Sequence, residues 1–170
     1  MATFTGRYAA DNFPKASPGW ANPIPLFGNI TVSANPADGD IYELLRTPKN
    51  FLAMFGFFQM DDLDTGTEVL DLDLGWAANG GGTETFTTAD GTIYTNAAGS
   101  AAPDGLLNMG ALTGDVVTGV TTVAATWRPI PMGAGLFFSR PTMIQVEANV
   151  PANALTAGGM SVILFGSILG

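Results

Sequence analysis

The sequence predicts an all-β protein: an antiparallel β-sandwich, jelly-roll-like, behind an extended N-terminal arm. Three observations lead there. Apolar and polar residues alternate strictly in "EVLDLDLGW" (68–76) and "TMIQVEANV" (142–150), as in strands with one packed and one wet face. Turn chemistry separates the short apolar segments. No segment sustains a helical stripe. With 170 residues and 46% hydrophobic content, the chain suits one domain with a sizeable core.

Residues 1–29 hold Pro14, Pro18, Pro23 and Pro25 among Gly and Asn, without periodicity. This reads as an arm in front of a single β-sandwich domain at 30–170. The arm carries Phe4, Tyr8, Phe13, Trp20 and Phe27. Aromatics on an irregular segment need a surface to lie on, either their own domain or a neighbouring subunit, so these five are the candidate interface residues.

"GNITVSA" (28–34) is a short β-branched strand, and "NPADGD" (35–40) is a turn. "IYELLR" (41–46) sets Ile41, Glu43 and Leu45 on one face and Tyr42, Leu44 and Arg46 on the other. "FLAMFGFFQM" (51–60) is almost wholly apolar, which fits a strand covered on both sides; period alone does not exclude a short buried helix. In the next strand Leu70, Leu72, Leu74 and Trp76 point one way, Asp71 and Asp73 the other. "AANGGGTETFTTADGT" (77–92) reads as loop and short strand, and a turn or two of helix follows Pro103. "GVTTVAATWRPIP" (119–131) is a strand ended by Pro129. Ile144, Val146, Ala148 and Val150 point inward, with Gln145, Glu147 and Asn149 outward. "MSVILFGSIL" (160–169) is the last strand, expected to pair with 142–150 across the nine-residue "PANALTAGG".

Composition removes several kinds of chemistry. The chain has no His and no Cys. That leaves no conventional catalytic triad, no thiol nucleophile and no zinc-thiolate site. Net charge is −9, with six Lys and Arg in all, so neither nucleic acid nor an anionic membrane is an expected partner. The start lacks the apolar stretch of a signal peptide, and no apolar run reaches the ~20 residues of a membrane-spanning helix. Synthesis in a cytoplasm is expected. Only 12% of residues are charged, about half the usual share, as if another protein covers part of the surface.

"DDLDTGTEVLDLDLGW" (61–76) gathers six acidic residues. Asp64-Thr65-Gly66 spells the aspartic-protease tripeptide, but Asp61, Asp62 and Leu63 precede it where that family has a buried apolar strand. Asp61, Asp62, Asp64 and Glu68 could offer oxygens to calcium. The EF-hand spacing fails, because Gly66 stands where an acid or amide is required. A solvated acidic rim is the plainer expectation, with no cofactor. "GGG" at 80–82 lacks the Lys-Ser/Thr of a phosphate loop.

The stretch "GDIYELLRTPKN", an apolar strand and "DDLDTGTEVLDLDLGW", then the late "IQVEANVPANALTAGGMSVILFG", resemble tailed-phage virion proteins of the capsid decoration or cement type. The likeness spans about sixty of the 170 residues. The resemblance implies a β-sandwich head protein without enzymatic activity or cofactor. Its expected partners are the major capsid protein and copies of itself, as a trimer or pentamer, and its expected location is the capsid surface of a virion. The alternative is a calcium-dependent carbohydrate- or ligand-binding β-sandwich, with Trp20, Trp76 and Trp127 as a sugar platform, although Trp76 falls on the inward face of its strand.

Overall fold

A computed structural model describes residues 1–5, 23–33, 36–61, 63, 70–111, 127–133, 135–150 and 157–170. Twelve strands are described: β1 Thr3–Thr5, β2 Ile24–Val32, β3 Ile41–Arg46, β4 Phe51–Met60, β5 Asp71–Trp76, β6 Thr85–Thr87, β7 Ile93–Thr95, β8 Ala102–Ala111, β9 Arg128–Ile130, β10 Leu136–Phe138, β11 Met143–Val150 and β12 Gly158–Ile168. A single 3-10 turn, Ala97–Gly99, is the helical element among the described residues.

The strands make two five-stranded sheets and a small hairpin. Sheet 1 runs β1-β3-β11-β5-β8, and sheet 2 runs β10-β4-β12-β2, with β9 also on β4. β6 and β7 form the hairpin. The pairing is nested. β2 pairs with β12, β3 with β11, β4 with β9 and β10, and β5 with β8, all antiparallel. The first half of the chain thus lies back along the second, and the strands form the two mainly antiparallel layers of a β-sandwich. β1 is an exception, pairing parallel to β3.

Alternation builds the core. Leu72 and Leu74 of β5, with Ile144, Val146 and Ala148 of β11, point from sheet 1 towards Val162 and Leu164 of β12 in sheet 2. All seven are fully buried. Each large one contributes roughly 1.5–3 kcal/mol relative to exposure. Trp76 joins them edge-on to Phe138, ring centroids 5.7 Å apart, and its Nε1 donates to the carbonyl of Ser100 at 3.2 Å.

Several expectations need correction. β11 and β12 do not pair with each other but lie in facing sheets. Two strands with one apolar face each look the same in sequence whether they share a sheet or face one another across the core. Residues 102–111 form strand β8, not a helix after Pro103. β8 is the edge of sheet 1, where a missing N–H is tolerated. Gly105 there lies against Trp76, and a Cβ would come within 2.4 Å of the ring. Pro129 stands inside β9, opposite Phe57, and does not end it. β2 starts at Ile24, inside the segment read as the arm; it too is a sheet edge, so Pro25 fits. β4 is a strand, but only Phe51, Leu52 and Ala53 are buried on both sides. A bulge opposite Phe165 and Gly166 leaves Met54 unmatched, and beyond it one face lies open.

Polar side chains tie one end of the sandwich. Asn96, 7% exposed, accepts at Oδ1 from Asn79 Nδ2 (3.0 Å) and from the backbone N–H of Ser139 (3.2 Å). Its Nδ2 donates to Asn79 Oδ1 (3.0 Å) and to the Gly82 carbonyl (3.1 Å). Asn79 Nδ2 also donates to Thr142 Oγ1 at 2.9 Å, and the Thr142 N–H donates to Thr47 Oγ1 at 3.1 Å. Asp40 does the same for the N-terminus, its carboxylate accepting from the N–H groups of Ala2 and Ala37, both at 2.9 Å.

Removing the Asn96 side chain would strand several buried partners. Asn96→Ala is expected to lower stability by about 1–3 kcal/mol, read as a reduced urea midpoint with unchanged slope. An unaltered midpoint would show the network to be dispensable.

Candidate functional site: the two outer faces

Of the sequence-derived candidates, Asp61, Phe4 and Phe27 are among the described residues, and they lie at different places in the fold. Asp61 is exposed at the end of β4; its N–H donates to the Gly159 carbonyl at 2.9 Å and its Oδ2 accepts from the Gly159 N–H at 2.6 Å. This holds the start of β12. Asp62, Asp64 and Glu68 lie outside the described residues. Among the described residues no group of three acidic side chains is placed to hold a metal ion. Phe4 lies in β1 and stacks on Tyr42 of its own domain, centroids 5.0 Å apart. Phe27 lies on sheet 2, so the two described aromatics of the arm segment are not brought together. Tyr8, Phe13 and Trp20 lie outside the described residues. Trp76 belongs to the core, which leaves Trp127, 39% exposed, without it as a platform partner.

The structure instead presents two unlike outer faces. On sheet 1, β5 turns Asp71 and Asp73 outward, beside Glu147 and Asn149 of β11 and Glu43 of β3. Register sets Glu147 opposite Asp73 and Gln145 opposite Glu43. Like charges so opposed weaken a strand pair. Asn149 Nδ2 relieves one oxygen, donating to Asp73 Oδ2 at 2.7 Å. Oδ1 of Asp73 and Oδ1 of Asp71 are buried without a hydrogen-bond partner. This corrects the expectation of a freely solvated acidic strand. Asp73 is only 8% exposed, because β5 is an inner strand flanked by β11 and β8. Burial first, and the charge of Asp73 second, push the Asp71 carboxyl above its usual range.

Sheet 2 is the opposite in character. Phe27, Ile163, Phe57 and Pro129 form one row across β2, β12, β4 and β9, and Pro25, Phe165 and Phe55 form the next. Phe55 stacks on Phe165 at 4.6 Å, and Phe57 meets both edge-on at 6.4 Å. Phe27, Met54 and Phe55 are 38%, 46% and 42% exposed. The next row out, Asn29, Ser161 and Gln59, is polar and uncharged. The far half of this sheet is covered: Phe137 of β10 is buried against Phe86 and Tyr94 of the β6–β7 hairpin, at 6.0 and 6.4 Å. The near half has no such cover among the described residues. Sequence reasoning missed Phe55, Phe57, Ile163 and Phe165 as surface groups, since an apolar run reads as buried until register shows which side the partner sheet occupies.

No family model matches the chain, and no curated protein matches it in sequence. Two solved structures share its fold. One is a chain of the capsid of Ralstonia phage GP4, with a TM-score of 0.68 and 19% identity, covering 99% of this chain and 99% of that one. The other is a chain of the cyanophage Pam1 capsid asymmetric unit, with a TM-score of 0.58 and 14% identity, covering 96% of this chain and 99% of that one.

The crowding on sheet 1 sets a pH dependence. The folded Asp71 carboxyl holds its proton more tightly than the unfolded chain does, so stability falls as pH rises from the unfolded value, about 4, through the raised folded one. Asp71→Asn is expected to melt higher than the parent at pH 7, by up to roughly 2–4 °C, and the difference should close below about pH 4. An equal or lower melting point at pH 7 would contradict an uncompensated Asp71.

Proposed function

We propose that this chain is a non-enzymatic structural protein of a phage virion, binding and stabilising the capsid surface as a decoration or cement protein. The observation that carries the reading is the end-to-end likeness to chains of two phage capsids, covering 99% and 96% of this chain and 99% of each of those. A match that runs nearly the full length of both compared chains rests on the whole arrangement of strands and not on one shared hairpin. The unlike outer faces support the same reading, since a protein held between a shell and its neighbours needs more than one contact surface.

In this reading the partners are the major capsid protein and further copies of the chain. The acidic face of sheet 1 is suited to basic groups on a shell, and many weak contacts repeated over a particle act together by avidity. This reading invokes no cofactor.

Two measurements test this. Added to capsids that lack it, the purified chain should co-sediment with them, saturate, and raise the temperature at which they release their contents; failure to co-sediment would defeat the proposal. The melting point of the free chain should be the same in calcium and in chelator, whereas a calcium-dependent rise would favour a cation-dependent binding module.

A further inference from the structure

We propose that Asn79 is a latent modification site, a deamidation site that the fold holds locked through the polar network around Asn96, and whose conversion loosens the β6–β7 hairpin. This goes beyond capsid binding and does not rest on it.

Asn79-Gly80 is the one Asn-Gly pair in the chain; every other asparagine precedes Pro, Phe, Ile, Ala, Met or Val. A following glycine leaves the backbone nitrogen unshielded, because it has no side chain. In the reaction the Gly80 nitrogen gives up its proton and bonds to Cγ of Asn79. The Cγ–Nδ2 bond breaks, and Nδ2 leaves as ammonia with a proton in place of that bond. Water then opens the cyclic imide at either carbonyl, giving aspartate or isoaspartate. Water is consumed and ammonia released, with no oxidant or cofactor. Gly80 is exposed, with φ +73°, so solvent reaches the peptide that must react.

The side chain that must move is held at its full hydrogen-bonding capacity. Asn79 Nδ2 donates to Asn96 Oδ1 (3.0 Å) and Thr142 Oγ1 (2.9 Å). Its Oδ1 accepts from the Gly81 N–H (2.8 Å) and from Asn96 Nδ2 (3.0 Å). The partners are fixed in turn: Asn96 and Thr142 are 7% and 1% exposed. Hydrogen bonds to an amide favour its plane, whereas attack on Cγ comes from above that plane and makes the carbon tetrahedral. The bonds must be given up first, so conversion proceeds from molecules in which this turn has opened.

The product does not fit where the amide did. A carboxylate has no proton to donate, and Thr142 Oγ1 already donates its own to the Arg140 carbonyl at 2.9 Å. Residue 79 would then set acceptor against acceptor at Thr142 Oγ1 and at Asn96 Oδ1. Asn96 is what anchors the hairpin: its N–H donates to the Glu84 carbonyl at 2.8 Å and its Nδ2 to the Gly82 carbonyl at 3.1 Å. The hairpin places Phe86 and Tyr94 on Phe137. Conversion at residue 79 therefore loosens the hairpin and uncovers Phe137.

The test is peptide mapping of the full chain by mass spectrometry after incubation in mildly alkaline buffer. In denaturing urea, residue 79 should convert faster than any other asparagine. In the folded parent its conversion should be at least about 100-fold slower than in urea. Asn96→Ala should speed the folded-state reaction roughly tenfold or more, and Thr142→Val serves as the second variant if the first fails to fold. Val146→Ala, which weakens the core away from the network, should leave the rate near the parent's. Asn79→Asp should speed hydrogen exchange of β6 and β7 at least about tenfold while β4 and β12 keep theirs; Asn79→Ala, which also lacks the donors, stands in if that variant fails to fold. A folded parent that converts as fast as the urea sample overturns the proposal, as does a chain inert at residue 79 in urea. Equal acceleration by Val146→Ala and Asn96→Ala overturns the lock, because global unfolding would then set the rate. Hairpin exchange unmoved by the residue 79 variants overturns the link to the hairpin.

Discussion

Leu72, Leu74, Ile144, Val146, Val162 and Leu164 meet in a single layer between two sheets, and everything else in the molecule follows from their sharing it. A strand has two faces. Once one is committed to a common core, the other is fixed as outside, residue by residue. The nested pairing extends that commitment to the chain ends, since β2 is held by β12 and not by a neighbour in sequence. The two layers close tightly where β2 passes β3. A Cβ on Gly28 would come within 2.5 Å of the Leu44 carbonyl oxygen, so the absence of a side chain there lets the sandwich shut. Pairings this distant in sequence form only after long loops have closed, which makes folding slow and cooperative.

The outer faces are what the core leaves over. On sheet 1 the leftover positions are carboxylates and amides, and the sheet accepts some repulsion between Asp71, Asp73 and Glu147. On sheet 2 they are rings. One of them, Phe137, is covered by the β6–β7 hairpin, held in place through Asn96, whose N–H donates to the Glu84 carbonyl at 2.8 Å. A rigid slab of this kind turns two chemistries in opposite directions from one small domain.

Much of this was legible in the sequence, and what was not follows one pattern. The inward series Leu70 to Trp76 and Ile144 to Ala148 were visible because period two with a clean polar side is a local signal. The apolar 51–60 segment was visible as a strand, but which of its residues faced out was not, because outwardness depends on where β12 and β9 lie beside it. The same limit misplaced β12 as the partner of β11. Pro103 and Pro129 misled for a related reason. A proline forbids a central strand but not an edge, and edge position belongs to the topology, not to the residue. Asp73 looked wet for want of knowing that it sits on an inner strand.

The edge prolines bear on assembly. An open sheet offers its unpaired backbone to any other strand, which invites edge-to-edge aggregation. Here β2 ends sheet 2 and carries Pro25 in its first turn of contacts with β12. β8 ends sheet 1 and carries Pro103 near its start. On the far side of sheet 2, β9 and β10 are three residues each, and β9 contains Pro129. The remaining edge, β1, is three residues long. Every described edge is therefore short or carries a proline at its second residue. Proline weakens the start of each long edge, while the two faces differ in side-chain chemistry, acidic on one and aromatic on the other.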